Sequence, residues 1–396
     1  MIVLDQSDSQ VVQDIGGDAV QNETDLRILF VIDSLFPGLG GAESQAIKLA
    51  QALKARNIHV EYVAPKVRND ICNQSELDGI PITYISYPHI KLLGSVVLMF
   101  KFGAFLIRRR DDYDCMHVHV TRLLAATAGI VRPYSKIPIV TKISGFFEFE
   151  GGVLDQRKRY KPINALMRMA MRNVDFVQTI SIETRKKLLD AGFRENQIAL
   201  IPNGIDTTKP ASPMPDSDVF TIGYCGRLRE VKGVHILLEG YAKCRALNVD
   251  TPMRVILAGS GTSEPELREL IDSLGIVDDV EFLGTVADTA AFYASLDLYV
   301  QPSFAEGLPN SVIEAMHAAR AVVATDIGGN QDLIEDGMSG HLFPAGDSEK
   351  LGELLCKCLD DRQDNLRMGT NGRTVIEEQF GMKGVIDQLV GVYSGK

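Results

Sequence analysis

Short apolar runs alternate with helix-length amphipathic stretches along most of the chain, and the series ends and starts again near the middle. The first series has runs at 27–32, 60–64, 82–85, 115–120, 139–143 and 176–179, with helix-type spacing between them, as in 42–56. The second has runs at 221–225, 254–258, 280–283, 298–301 and 321–325. Runs this short and this apolar suit strands buried on both faces. Helices between them imply right-handed βαβ units and a parallel sheet. A series that restarts predicts two Rossmann-like α/β domains facing across a central cleft. Ligands of such sheets sit at the carboxyl ends of the strands. Pro202-Asn203-Gly204-Ile205-Asp206 and the Pro-rich stretch 210–218 read as a hinge or linker. We therefore place one domain at 26–205 and the other at 206–379. A last amphipathic helix at 384–393, within about 380–396, is expected to return to the first domain.

With 396 residues the chain is too long for one ordinary core and suits two or three domains. Its 45% hydrophobic and 23% charged residues describe a globular enzyme rather than a disordered or disulfide-framed chain. The net charge of -11 argues against a general nucleic-acid binder. That charge is unevenly spread. Residues 1–25 hold six acids and no Lys or Arg, and read as a flexible acidic tail. Residues 26–190 carry 24 basic and 15 acidic side chains, whereas the remainder carries 17 and 31. A basic half joined to an acidic half suggests domains with different partners. The six cysteines show no metal spacing and are expected to be reduced cytosolic thiols.

Two strand-to-helix turns carry the chemistry. Gly38-x-Gly40-Gly41-x-Glu43 follows a strand and opens a helix, so its backbone N–H groups can approach an anion. It has neither the third glycine of a dinucleotide fingerprint nor the Gly-Lys-Ser/Thr of a P-loop. In the second half, Glu306-Gly307-Leu308-Pro309-Asn310 leads into a helix that holds Glu314. A carboxylate only accepts hydrogen bonds, which suits paired ribose or sugar hydroxyls. The N–H groups of this turn suit a diphosphate. Arg227 and Lys232 follow the strand at 221–225 and could clamp a phosphate.

These elements, together with Pro202-Asn-Gly-Ile-Asp206, Gly226-Arg-Leu-x3-Lys232-Gly233 and Asp326-x-Gly-Gly329, resemble in order and spacing the retaining glycosyltransferases of family 4. The resemblance runs from about Arg27 to the C-terminus and implies the GT-B fold. It implies transfer of a sugar from a nucleotide-sugar donor, with UDP-sugar favoured, to a saccharide or lipid-linked acceptor in polysaccharide or glycoconjugate synthesis. It implies catalytic roles for Arg227, Lys232, Glu306 and His119. Donor contacts are implied at Gly40, Gly41, Gly307, Leu308, Pro309, Asn310 and Glu314, with the nucleobase near 282–286. It implies no metal and no cofactor, the positive charge coming from Arg227 and Lys232. Ser144-Gly145 departs from the His-Gly of many relatives, which points to a different acceptor. A nucleotide-sugar epimerase of the same fold, or a non-catalytic nucleotide-sugar-binding protein, are the alternatives.

His117 and His119 alternate along a strand and are expected on opposite faces of the sheet, which argues against a shared metal. Asp112-Tyr113-Asp114 mimics a metal-binding Asp-x-Asp but precedes a strand, at the wrong end of the sheet for ligands. Basic and apolar residues interleave at 92–110, ending in Arg108-Arg109-Arg110, and at 157–172. Such helices can lie on an anionic membrane surface. The N-terminus shows no secretory signal, and the longest apolar stretch contains Lys101 and Gly103. A cytoplasmic protein, peripheral at the inner membrane face, is the resulting expectation.

Overall fold

The computed structural model describes residues 25–395 except 39, 69–71, 91, 144, 146–148, 150, 151, 153, 156, 158–161 and 216, and the side chains of 162–164 and 166. The acidic stretch before Asp25 lies outside the described residues. The chain forms two compact units. One holds the described residues up to Gly204 together with those from Met382 onward, and the other is Ile205–Gly381.

The first unit contains β1 (Arg27–Ile32), α1 (Gly41–Ala55), β2 (His59–Pro65), β3 (Glu76–Leu77), β4 (Ile80–Ile85), α2 (Leu93–Arg108), β5 (Cys115–His119) and α3 (Leu123–Ser135). It continues through β6 (Ile139–Ile143), α4 (Pro162–Met171), β7 (Phe176–Thr179), α5 (Ile182–Asp190) and β8 (Ile198–Leu200). Its sheet runs β3-β4-β2-β1-β5-β6-β7-β8, parallel except for the β3–β4 pair. Apolar side chains alternate across it. Ile28, Phe30 and Ile32 pack with Leu49 and Leu53 of α1, while Leu29 and Val31 pack with Leu98 and Phe102 of α2. Both faces are thus buried, which is why the strands read as continuous apolar runs.

The second unit contains β9 (Phe220–Cys225), α6 (Val234–Leu247), β10 (Met253–Ala258), α7 (Glu264–Ser273), β11 (Val280–Gly284), α8 (Thr289–Ala294) and β12 (Leu298–Gln301). It closes with α9 (Asn310–His317), β13 (Ala321–Thr325), α10 (Gly328–Gln331), β14 (His341–Phe343), α11 (Ser348–Asp360) and α12 (Arg362–Gln379). Its sheet is wholly parallel, in the order β11-β10-β9-β12-β13-β14. This is the doubly wound order, with its reversal between β9 and β12. The helices α6 and α11 approach closely because Gly240 and Gly352 face the partner helix without a side chain. The six cysteines are free, and Cys244 Sγ of α6 lies 2.7 Å from Cys356 Sγ of α11.

The last helix, α13 (Met382–Tyr393), belongs to the first unit. Its Val385, Ile386, Leu389, Val390 and Tyr393 are buried in the core beside β1 and α1. The stretch read as a linker is held to the second unit. The fully buried guanidinium of Arg320 donates to the carbonyls of Ser212 (2.9 Å), Pro213 (2.6 Å) and Tyr293 (3.0 Å). No helix among the described residues is long and apolar enough to cross a membrane.

Candidate active site

In the second unit the chain reverses direction across the sheet between β9 and β12, so the loops leaving these neighbours part and leave a crevice. Arg227 and Lys232 lie on the loop after β9, and Glu306 lies on the loop after β12. Lys232 Nζ donates to Glu306 Oε1 at 2.6 Å, and the two side chains are 18% and 10% exposed. Two further donors meet the same oxygen, Gln301 Nε2 at 2.7 Å and Ser303 Oγ at 2.7 Å. Gln301 is itself oriented by the hydroxyls of Tyr299 (2.6 Å) and Ser311 (3.1 Å), both donating to its Oε1. The carboxylate is thereby fixed through one oxygen. Among the described residues no donor meets its Oε2.

Backbone geometry brings these loops together. Gly233 has φ +64, and a Cβ there would lie 2.1 Å from the Pro302 carbonyl oxygen, so only glycine lets the Lys232 turn approach the Glu306 loop. The Phe304 N–H donates to the Val231 carbonyl at 2.9 Å and ties the same loops. The Asp326-x-Gly-Gly329 turn closes from a third side, with Gly329 against the Gly307 carbonyl. Gly307, Leu308 and Pro309 are buried, and Asn310 starts α9. Glu314 stands partly buried one turn on, close enough to act on Cys225 and Tyr293. Arg227 is exposed, and its main-chain carbonyl accepts from the Tyr224 hydroxyl at 3.1 Å. Burial and the nearby Glu306 carboxylate both raise the Tyr224 phenol, so it stays protonated and donates. In the predicted nucleobase segment, the Arg268 guanidinium covers the Phe282 ring at 4.1 Å.

The first unit has its own reversal, between β1 and β5. His119 ends β5, and the turn with Gly40 and Gly41 follows β1. Gly40 precedes α1, whose Glu43 accepts from Ser34 Oγ at 2.6 Å, and a Cβ on Gly40 would collide with that carboxylate. The expectation that His117 and His119 face opposite sides is wrong. Residues two apart on a strand share a face, and the rings lie 4.1 Å apart. Both imidazoles are fully buried, and burial lowers their pKa well below 6.5, so both are neutral near pH 7. The Tyr393 hydroxyl is hydrogen-bonded to His117 Nδ1 at 2.6 Å, whereas neither ring nitrogen of His119 has a hydrogen-bond partner among the described residues. The run read as strand 115–120 stops one residue early. Val120 has φ +61, a left-handed conformation that costs a β-branched residue energy and marks the end of β5.

Three residues at these strand ends escaped the sequence reading. Asp33, directly after β1, is buried, accepts from the Leu124 N–H at 2.7 Å, and is raised by burial to about 6. Gln301 and Ser303 position Glu306. A glutamine closing an apolar strand, with a serine two residues later, was the available signal. The Asp112-Tyr113-Asp114 carboxylates are taken by arginines: Asp112 by Arg109 (2.7 Å) and Asp114 by Arg27 (3.3 Å). Among the described residues no cluster of three His, Cys, Asp or Glu side chains could hold a metal.

Comparison with known proteins matches residues 219–361 to the family described as "Glycosyl transferases group 1" and residues 39–209 to "Glycosyltransferase Family 4". The chain belongs to the group 1 glycosyltransferases. It is 23% identical to the N-acetyl-alpha-D-glucosaminyl L-malate synthase of Bacillus anthracis, over 90% of this chain and 94% of that protein. A capsular polysaccharide biosynthesis glycosyltransferase of Staphylococcus aureus is 28% identical over 45% of this chain. That match spans only 47% of the relative's length. The crystal structure of Anabaena HepE in complex with UDP superposes with a TM-score of 0.77 at 23% identity, covering 94% of this chain and all of that one. The fold is GT-B, with two parallel-sheet α/β units.

Proposed function

We propose that this group 1 glycosyltransferase transfers a sugar from a UDP-sugar to a saccharide or lipid-linked acceptor in polysaccharide or glycoconjugate synthesis. The observation that carries this reading is the Lys232–Glu306 pair at the β9/β12 reversal, with Arg227 on the same loop as Lys232. Breaking the bond between an anomeric carbon and a diphosphate leaves negative charge on the departing oxygen. Lys232 and Arg227 stabilise that charge as it builds. Glu306 holds Lys232 in place through Oε1 and offers Oε2 to a hydroxyl of the donor sugar. Glu314 accepts from the ribose, and Gly307, Leu308 and Asn310 present N–H groups to the phosphates. The relative with UDP bound and the relative of capsule synthesis support the donor and the pathway class.

In this reading transfer retains the anomeric configuration and needs no divalent cation, because the lysine and arginine supply the positive charge. In the same reading Gly40 and Gly41 are further donor contacts, and His119 has a catalytic role. Purified protein incubated with UDP-, GDP- and ADP-sugars tests the reading. Acceptor-dependent release of UDP, undiminished by EDTA, with an NMR coupling that reports the donor's own anomer in the product, is the expected result. Release of UDP only on added divalent cation would refute the metal-free clamp.

A membrane-facing acceptor fits the outer face of α2. Leu93, Val96, Phe100 and Ile107 recur there at helical spacing and are exposed, Phe100 at 77%. Leu92, just before the helix, is also exposed. Arg108 and Arg110 flank this stripe. Arg109 is engaged inward with Glu61 at 2.7 Å and is not part of the face. Of the second basic stretch, residues 158–161 lie outside the described residues. Peripheral binding at the cytoplasmic face predicts salt-sensitive sedimentation with anionic vesicles. Equal sedimentation with neutral vesicles would overturn it.

A further inference from the structure

We propose that Lys142 and His119 form an anion subsite at the carboxyl end of the first unit's sheet, which takes a carboxylate or phosphate group of the acceptor. The proposal rests on the glycosyl-transfer reading above and adds the chemical class of its second substrate.

Lys142 is the penultimate residue of β6 and is only 5% exposed. The register places His117 opposite Val140 and Val118 opposite Thr141, so the next step brings His119 beside Lys142. Lys142 follows Val140 by two residues and His119 follows Cys115 by four, and Cys115 and Val140 both pack on the α1 and α13 side of the sheet. Lys142 and His119 therefore share that face. The Lys142 carbonyl accepts from Thr121 Oγ1 at 2.8 Å, but its ammonium has no hydrogen bond or ion pair among the described residues. Burial lowers that amine to about 8, and no carboxylate among the described residues offsets the loss of water. The titratable groups that act on His119 are His117 and Lys142, again with no carboxylate among the described residues. Asp33 is engaged with the α3 N–H of Leu124 instead.

The other buried cation shows what a structural role looks like. Arg320 donates to three main-chain carbonyls and to the Met214 sulfur, and lies within reach of the Asp297 charge. A buried ammonium with no partner is costly, and a merely apolar wall would be better served by methionine or valine. Lys142 is thus built for a partner that comes with the ligand. Next to it, His119 has two ring nitrogens without partners among the described residues, one of which can donate to the same anion. The acceptor is the source we assign, because in the reading above the donor's diphosphate meets Arg227 and Lys232 of the other unit.

The test uses the full chain labelled at lysine Cε, with the Lys142 signal assigned by its loss in Lys142→Met. Inorganic phosphate is the probe. The expected result is a phosphate-dependent shift of the Lys142 signal and a rise in its titration midpoint, both persisting with saturating UDP. No shift would overturn the subsite. An equal shift from UDP alone, or a phosphate effect lost on adding UDP, would transfer the site to the donor and overturn the acceptor assignment. Kinetics give a second readout. Lys142→Met should raise KM for an acidic acceptor by about 10- to 100-fold, the scale of one charge-assisted hydrogen bond, and Lys142→Arg should recover part of it. A loss confined to kcat, with KM unchanged, would count against the subsite. Calorimetry of UDP with the unaltered protein keeps the two readings apart. Failure to bind UDP would sink the UDP-sugar reading, while the phosphate effect at Lys142 stands or falls separately.

Discussion

At the residue scale, the Lys232–Glu306 pair makes two motif residues one device. Removing Lys232 takes away a preorganised charge and leaves a nearly buried carboxylate without its cation. We expect Lys232→Ala to lower turnover by about 10²–10³. The effect should couple with Glu306→Gln by more than about 0.5 kcal/mol, since the side chains touch. Steady-state UDP release for the two single variants and the double variant checks this, and strictly additive losses would show that they act apart. The buried histidines lead to a second prediction. The folded-state pKa of His117 and of His119 is depressed, whereas the unfolded chain takes up those protons near pH 6.5. Stability is therefore fully present above that pH and falls below it, by about 1.4 kcal/mol per pH unit for each histidine. Denaturant melts between pH 7 and 5 should show this slope. His119→Gln should remove one proton's share of it.

At the element scale, the Pro-rich stretch at the start of the second unit is shaped by a residue far along the sequence. Arg320 lies between α9 and β13, yet it binds the carbonyls of Ser212 and Pro213 more than 100 positions earlier, at separations of 108 and 107 residues. Arg320→Met keeps the volume and removes the donors. It should cost about 1.5–3 kcal/mol, the worth of hydrogen bonds from a charged group. Hydrogen exchange should speed up in residues 211–215, while β12 and β13 keep their protection. Unchanged exchange there would mean that the stretch is held by packing alone. The proline-rich composition made this segment legible as a break between domains. It carried no sign of the arginine that holds it.

At the scale of the whole molecule, the first unit is discontinuous: the chain leaves it after Gly204 and returns at Met382. Five apolar side chains of α13 sit in its core, and Tyr393 supplies the partner of His117 Nδ1. A chain ending at Gly381 should lose several kcal/mol from that unit, because each large buried side chain removed costs about 2–5 kcal/mol. The second unit keeps all its elements. Calorimetry should show one transition falling or vanishing and the other unmoved. On the proposed function, UDP at a hundred times its Kd should raise only that second transition, by about 2.7 kcal/mol of stability. Movement of both transitions on truncation would show that the units unfold together.

The alternation of apolar runs determined the strands, because a strand buried on both faces is mostly apolar. β1, β6, β7, β12 and β13 have the limits read from sequence. The motif glycines were legible for a similar reason: at Gly233 a positive φ and a neighbouring carbonyl exclude any side chain. Short edge elements such as β8 and β14 were missed, since three residues carry too little pattern to separate from loop. Strand order cannot be read from local pattern. Only the tertiary structure puts β9 beside β12, and with that Lys232 within 2.6 Å of Glu306, 74 residues on. The same holds for charge. A lysine in an apolar strand reads as an interruption, and a triple arginine reads as a basic surface. Burial and partners decide that Lys142 has no counter-ion among the described residues and that Arg109 already has two. Those depend on which distant side chains arrive in space, and that is settled by packing.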